Sequence, residues 1–165
     1  MPRIVILMRH AKSSWKETGL SDLERPLNKR GLRVAPLMGE WLRSHRFEIE
    51  KCLCSTARRT RHTLECVQVG YDRQIPTEYS EKLYASSPHE IVRHLQELEN
   101  EFQTVLVIAH NPGLEILVER WSGITRSFPT AAIAVFSFEE LKDWSAISIE
   151  SKPLEIQFQI PSQLQ

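Results

Sequence analysis

The sequence predicts an α/β fold, a single three-layer α/β/α domain spanning residues 1–165 around a central, mostly parallel sheet. Two apolar runs rich in β-branched residues, Ile4-Val5-Ile6-Leu7-Met8 and Thr104-Val105-Leu106-Val107-Ile108-Ala109, have the length and uninterrupted character of strands buried on both faces. Around them, stretches with apolar residues at helical spacing alternate with short strand-like runs in the order βαβα(α)βαββ. Such alternation builds sheets covered by helices on both sides. At 165 residues the chain can bury a core without disulfide or metal staples.

The first strand breaks abruptly into Arg9-His10-Ala11-Lys12-Ser13, and Lys12 to Asn28 then reads as a long polar loop with at most one short helical turn. Loops of that length in compact domains are usually functional or mobile. From Lys29 to His45, Leu32, Ala35, Leu37, Met38, Trp41 and Leu42 recur at helical spacing, and Pro36 either kinks this helix or marks its true first turn. A short strand over Ile49 to Cys54 feeds the next helix through Ser55-Thr56-Ala57-Arg58-Arg59. Ser55 or Thr56 is the expected cap, Leu64, Cys66 and Val67 form the inner face, and Gly70 is the expected stop. Gln74 to Tyr84 reads as irregular. Ser87-Pro88 opens a further helix with Ile91, Val92, Leu95 and Leu98 inward. The strand ending at Ala109 runs into His110, after which Asn111 is the expected cap and Pro112 the first residue of a helix carrying Leu114, Ile116, Leu117, Val118 and Trp121. Ala131 to Phe138 alternates as a strand, and Ala146 to Ile149 with Leu154 to Ile160 predict one or two edge strands.

Composition narrows the function. With 21 basic and 21 acidic residues the net charge is zero, which argues against a nucleic-acid coat but leaves room for a local basic cluster around a small anion. No apolar run approaches a membrane span, and the N-terminal one is too short for a signal segment, so the expectation is a cytoplasmic protein with no membrane partner. Cys52, Cys54 and Cys66 are an odd set for which reduced thiols are the default.

Three predicted strand ends carry matched chemistry: Arg9-His10, Arg58-Arg59 and His110. If those strands are parallel neighbours, their C-terminal ends share one cleft. Histidines and arginines gathered without acidic metal-ligand neighbours describe an anion site, because guanidinium groups match phosphate oxygens in bidentate fashion. An uncharged histidine nitrogen can attack phosphorus, and phosphoryl transfer otherwise demands positioning and charge neutralisation.

On these residues the chain resembles the histidine phosphatase superfamily, also called phosphoglycerate mutase-like, and within it the small SixA-type phosphohistidine phosphatases. The family triplet Arg-His-Gly or Arg-His-Ala is matched by Arg9-His10-Ala11. The Ser-x-x-x-Arg-x-x-x-Thr signature is matched by Ser55, Arg59 and Thr63, and the histidine closing a hydrophobic strand by Val107-Ile108-Ala109-His110-Asn111. Arg25-Pro26-Leu27 and Ala132-Ile133-Ala134 match segments of the SixA-like subset. The resemblance implies a phosphatase without a cofactor or metal. His10 would be the nucleophile, and Arg9, Arg59 and His110 would bind the transferring phosphoryl group. Arg25 and Ser13 would lie at the pocket rim, with Arg58 as a rival to Arg59. Glu81 would be the counterpart of the glutamate that serves the mutases as proton donor. The implied partner is a phosphorylated protein, most simply one bearing phosphohistidine, or a small phosphate ester. A module that binds phosphorylated ligands without turnover is the competing reading.

Other features read as structural. His45, His62, His89 and His94 are expected at the surface, and Trp41 and Trp121 in the core. Cys52 and Cys54 lack a second pair or a spaced histidine for zinc. Cys52 and Arg58 have the spacing of cysteine-based phosphatases, but Cys52 lies inside a strand and no glycine intervenes to fold a phosphate cradle.

Overall fold

The computed structural model of the chain describes residues 1–164. A six-stranded sheet is built from β1 (Arg3–Arg9), β2 (Lys51–Ser55), β3 (Thr77–Ser80), β4 (Thr104–Ala109), β5 (Ile133–Phe138) and β6 (Leu154–Gln159), in the spatial order β3-β2-β4-β1-β5-β6. Parallel pairing joins β3 to β2, β2 to β4 and β4 to β1, while β5 runs antiparallel to both of its neighbours. The α/β reading and the mostly parallel sheet therefore hold.

Four helices cover the sheet: α1 (Lys29–Ser44), α2 (Arg58–Tyr71), α3 (Pro88–Gln96) and α4 (Gly113–Ser122). Side-chain alternation along the strands sorts them into two layers. Ile6, Met8, Cys52, Cys54, Leu106 and Ile108 point to α1 and α2, where Val34, Met38, Trp41, Leu42, Leu64 and Val67 meet them. Val5, Leu7, Leu53, Val105 and Val107 point the other way, onto Ile91, Leu95, Leu114, Leu117 and Trp121 of α3 and α4. Each fully buried aliphatic side chain contributes about 1.5–3 kcal/mol relative to exposure. Both strands read as continuous apolar runs because both faces are covered.

Several local expectations are corrected. Helix α1 begins at Lys29, with Asn28 accepting from the Gly31 N–H at 2.9 Å, so Pro36 lies inside it. The Leu32 carbonyl that Pro36 leaves without a helical donor belongs to a residue that is 42% exposed, which also removes Leu32 from the predicted inner face. The segment read as irregular holds β3 and one 3-10 turn, Glu81–Leu83. That edge strand is short and its central Glu78 and Tyr79 are exposed, so no apolar alternation marks it. A single 3-10 turn, Trp144–Ala146, stands near the first of the two predicted C-terminal strands, where a buried Trp144 donates from Nε1 to the Phe102 carbonyl. Neither Ser55, Thr56 nor Asn111 caps a helix by its side chain: the N-cap positions are Ala57 and Pro112. His94 is not a surface group, since Nδ1 meets the Glu90 carbonyl at 2.9 Å and Nε2 meets Ser80 Oγ at 2.8 Å.

Gly70 is inside α2 rather than at its stop, which is Asp72 in the left-handed region. Its role is contact. A Cβ at Gly70 would collide with the Pro36 carbonyl, and one at Gly39 with the Val67 carbonyl, so α1 and α2 cross backbone to backbone. Their fixed separation sets where the start of α2, bearing Arg59, stands against the loop between β1 and α1. Gly70→Ala is expected to destabilise the protein by about 1–3 kcal/mol, the cost of overpacking a site with no room to relax. Urea unfolding of the two proteins checks this; an unchanged midpoint would contradict the close-packed crossing.

Candidate active site

Because β1, β4 and β2 are adjacent and parallel, their C-terminal ends line one sheet edge. Arg9 pairs with Ala109 and Cys54 with Ile108, so His10, His110 and Ser55 emerge together. The loop between β1 and α1 is closed at its base by hydrogen bonds from Asn28 N to Lys12 O and from Ser14 N to Pro26 O, and it folds over the same edge. A cleft of about 380 Å³ results, lined by Arg9, His10, Ser13, Arg25, Arg59 and His110 among others.

The Ser-x-x-x-Arg-x-x-x-Thr spacing places Ser55 at the end of β2 and Arg59 and Thr63 on one face of the first turns of α2. Ser55 Oγ lies 2.8 Å from His110 Nε2. Thr63 Oγ1 donates to the Arg59 carbonyl at 2.6 Å and accepts from the Ala11 N–H at 2.9 Å, tying α2 to the residue after His10. Arg59, one turn before Thr63, reaches into the cleft.

His10 Nδ1 lies 2.7 Å from the Ala11 carbonyl. A carbonyl only accepts, so Nδ1 carries the proton and the lone pair is on Nε2. The ring faces that of His110 with centroids 5.3 Å apart, and Tyr84 stands edge-on to His110 at 5.4 Å. His110 Nδ1, Arg9 Nε and Arg59 Nε are buried without hydrogen-bond partners. Lys12, Arg9, Arg25 and Arg59 line the cleft against one carboxylate, Asp22, leaving an excess of three positive charges when both rings are neutral. Clustered cations with unmet donors suit a small polyanion.

Both imidazoles are neutral. Burial, with help from His110, Arg59 and Arg9 and against the Ala11 carbonyl, lowers the His10 pKa to about 3. Burial and the Arg59 charge lower that of His110 to about 4, with Asp22 opposing. Asp22 is lowered to about 2 by the Tyr84 hydroxyl, then by Arg59 and Arg25. The Tyr84 phenol is correspondingly raised.

The structure thus brings together six of the predicted site residues: Arg9, His10, Arg59, His110, Arg25 and Ser13. Arg25 Nη1 donates to Ser13 Oγ at 2.9 Å. Two it does not bring in. Glu81 is exposed on the 3-10 turn after β3, outside the cleft lining. Arg58 is exposed, outside the cleft lining, and donates to the Glu24 carbonyl at 3.3 Å. The sequence reading missed Asp22 and Tyr84. Asp22 Oδ1 accepts from Arg25 Nε at 3.0 Å and Oδ2 from Arg59 Nη2 at 3.1 Å, and Oδ2 also accepts from the Tyr84 hydroxyl. A carboxylate three residues before Arg25 in an overlong loop was a usable signal for Asp22. Tyr84 had none, being a lone tyrosine beyond an unrecognised strand.

Comparison with known proteins agrees with this geometry. The model of the histidine phosphatase superfamily (branch 1) matches residues 5–84. The phosphohistidine phosphatase SixA of Escherichia coli K12 is 36% identical over 143 residues, covering 82% of this chain and 86% of that protein. The chain belongs to the histidine phosphatase superfamily. A solved protein histidine phosphatase SixA complexed with tungstate superposes on this phosphatase with a TM-score of 0.81 at 28% identity, over 98% of this chain and 99% of that one. An uncharacterised Mycobacterium tuberculosis H37Rv protein is 38% identical over 139 residues, 78% of this chain and 85% of its own length. The enzyme reading therefore stands over a binding module without turnover. Among the described residues, no helix of this histidine phosphatase is long and apolar enough to cross a membrane.

The lowered histidine pKa values tie stability to pH. In the unfolded chain both rings take up protons near the ordinary value of about 6.5, whereas in the fold they stay neutral until about 3 and 4. The unfolded state thus binds more protons below about 6.5, and stability falls with falling pH there, by up to about 1.4 kcal/mol per pH unit per ring. Melting temperature should drop between pH 6.5 and pH 4, with a shallower slope in His110→Asn. Equal slopes would show that His110 does not carry this linkage.

Proposed function

We propose that this enzyme hydrolyses phosphohistidine on proteins through a covalent phosphoryl intermediate on His10. The observation that carries the reading is the His10 ring itself: neutral, with Nδ1 committed to the Ala11 carbonyl and the Nε2 lone pair left for phosphorus. Arg9 and Arg59 neutralise the equatorial phosphoryl oxygens, and neutral His110, with Nε2 accepting from the Ser55 hydroxyl, supplies a further donor from Nδ1–H. After transfer, water displaces the phosphoryl group from His10, whose ring leaves neutral because Nδ1 keeps its proton.

Among the described residues, the cleft lining holds no carboxylic acid or imidazolium poised to protonate an oxygen leaving group, which favours a phosphoramidate over an ester. An alkoxide leaving group needs a general acid. Asp22 is ionised, both imidazoles are neutral, and the Tyr84 proton is committed to Asp22. Glu81, the sequence-level candidate, lies outside the cleft. An imidazole leaves without such help. The apolar rim supports a protein as donor: Trp15 is 74% exposed, and Leu20 and Leu23 stand exposed on the same loop.

The test is turnover of a phosphohistidine peptide beside p-nitrophenyl phosphate and a phosphoserine peptide, with acid-labile, base-stable phosphate sought on His10 after rapid quenching. His10→Ala should lower kcat by about three orders of magnitude or more and abolish the adduct. Arg59→Ala should cost about a hundredfold in kcat/KM. Full turnover by His10→Ala would refute the mechanism, and preference for the phosphoserine peptide would refute the substrate.

A further inference from the structure

Asp22 has no place in phosphoryl binding, since a carboxylate repels the group that the arginines attract. Yet it is held in the cleft lining by three residues from separate segments. Arg25 follows it in its own loop, Arg59 comes from α2 and Tyr84 from the segment after β3. Arg59 Nη1 also donates to the Asp22 backbone carbonyl at 2.6 Å. An ionised carboxylate offers roughly four acceptor sites. Tyr84 and Arg59 fill those of Oδ2, and Arg25 fills one of Oδ1. One Oδ1 site is left, on a side chain that is 47% exposed and lines the cleft. A fixed, unfilled acceptor among donors is a recognition element for a donor on the ligand.

Phosphohistidine carries one. When the ring nitrogen distal to phosphorus holds a proton, breaking the P–N bond returns its electron pair to the nitrogen that bore phosphorus, and neutral imidazole departs. Without that proton the leaving group is an imidazolide anion. His10 has the same requirement in the hydrolytic half of the reaction, and there the Ala11 carbonyl accepts the distal N–H at 2.7 Å. The attacking side of the cleft has its acceptor, and the departing ring needs a matching one.

We infer that Asp22 accepts the distal N–H of the substrate imidazole and makes the cleft selective for that leaving group, an inference that rests on the phosphohistidine reading above. As His10 Nε2 bonds to phosphorus and the P–N bond to substrate breaks, no proton changes place: Asp22 keeps the substrate's distal proton on its ring and Ala11 keeps that of His10. Asp22 stays ionised wherever the substrate ring titrates, as its pKa of about 2 requires. The other charged or titratable groups lining the cleft are Arg9, Lys12, Arg25, Arg59, Tyr84, His10 and His110. A phenolate leaving group has no N–H to offer and departs as an anion that Asp22 repels.

The experiment compares kcat/KM for a phosphohistidine peptide and for p-nitrophenyl phosphate in the full chain, Asp22→Asn, Asp22→Glu and Tyr84→Phe. Asp22→Asn should lower the ratio of peptide to nitrophenyl activity by about tenfold or more, the scale of one charge-assisted hydrogen bond. It should also move the alkaline limb of kcat for the peptide to lower pH, because the bound ring then loses its proton more easily. Asp22→Glu should recover part of the ratio, and Tyr84→Phe, which spares the carboxylate, should not lower it. Equal losses on both substrates, or a Tyr84→Phe ratio as low as that of Asp22→Asn, would overturn the inference and leave Asp22 a brace for Arg25 and Arg59. Failure of the unaltered enzyme on the peptide, with p-nitrophenyl phosphate still cleaved, would overturn the phosphohistidine reading and this inference with it.

Discussion

The in-register parallel pairing of β1 with β4 and of β4 with β2 is the constraint from which the cleft follows, because it brings His10, His110 and Ser55 to one sheet edge from positions far apart in sequence. Slipping β4 by one residue would reverse the faces of its side chains, sending Val105 and Val107 toward α1 and α2 and leaving the terminal His110 out of step with His10. The apolar faces on both sides of the sheet make that slip expensive, so core packing holds the catalytic edge in register. The same hydrophobic alternation that stabilises the fold also aims its polar ends.

A second layer of contacts fixes the cleft around that edge. Thr63, its hydroxyl proton given to the Arg59 carbonyl in its own helix, accepts from the Ala11 N–H, so α2 and the loop after β1 cannot drift apart without losing that buried hydrogen bond. Asp22 does similar work nearer the opening, where it spans Arg25, Arg59 and Tyr84. Much of the order of the cleft is thus carried by residues that do not meet phosphorus. Burial among cations keeps both histidine rings neutral, at a cost in stability in acid, and that neutrality is what a nitrogen nucleophile requires.

The fold was readable where burial was two-sided. β1 and β4 announce themselves as apolar runs, and Ser87 before Pro88 marks the start of α3. It was unreadable where an element is short or half-exposed: β3, with Glu78 and Tyr79 facing solvent, carries no pattern that separates it from a loop. Caps failed where the chain turns sharply. Asn111 gives its side-chain N–H to the Phe128 carbonyl at 2.8 Å and leaves the N-cap position to Pro112.

By itself the sequence determined the α/β class, the strand ends that bear chemistry, and the choice of Arg59 over Arg58, since only Arg59 stands four residues from both Ser55 and Thr63. That choice rests on the match to the family's Ser-x-x-x-Arg-x-x-x-Thr signature; in the fold Arg59 and Thr63 share a face of α2, while Ser55 ends β2. The tertiary structure alone decided that Glu81 lies outside the cleft, that Asp22 and Tyr84 lie inside it, and that His10 presents Nε2. Those outcomes depend on a strand edge, a loop folding back over the sheet and one carbonyl direction, and of these only the loop leaves a trace in the chain, in the spacing of Asp22 from Arg25.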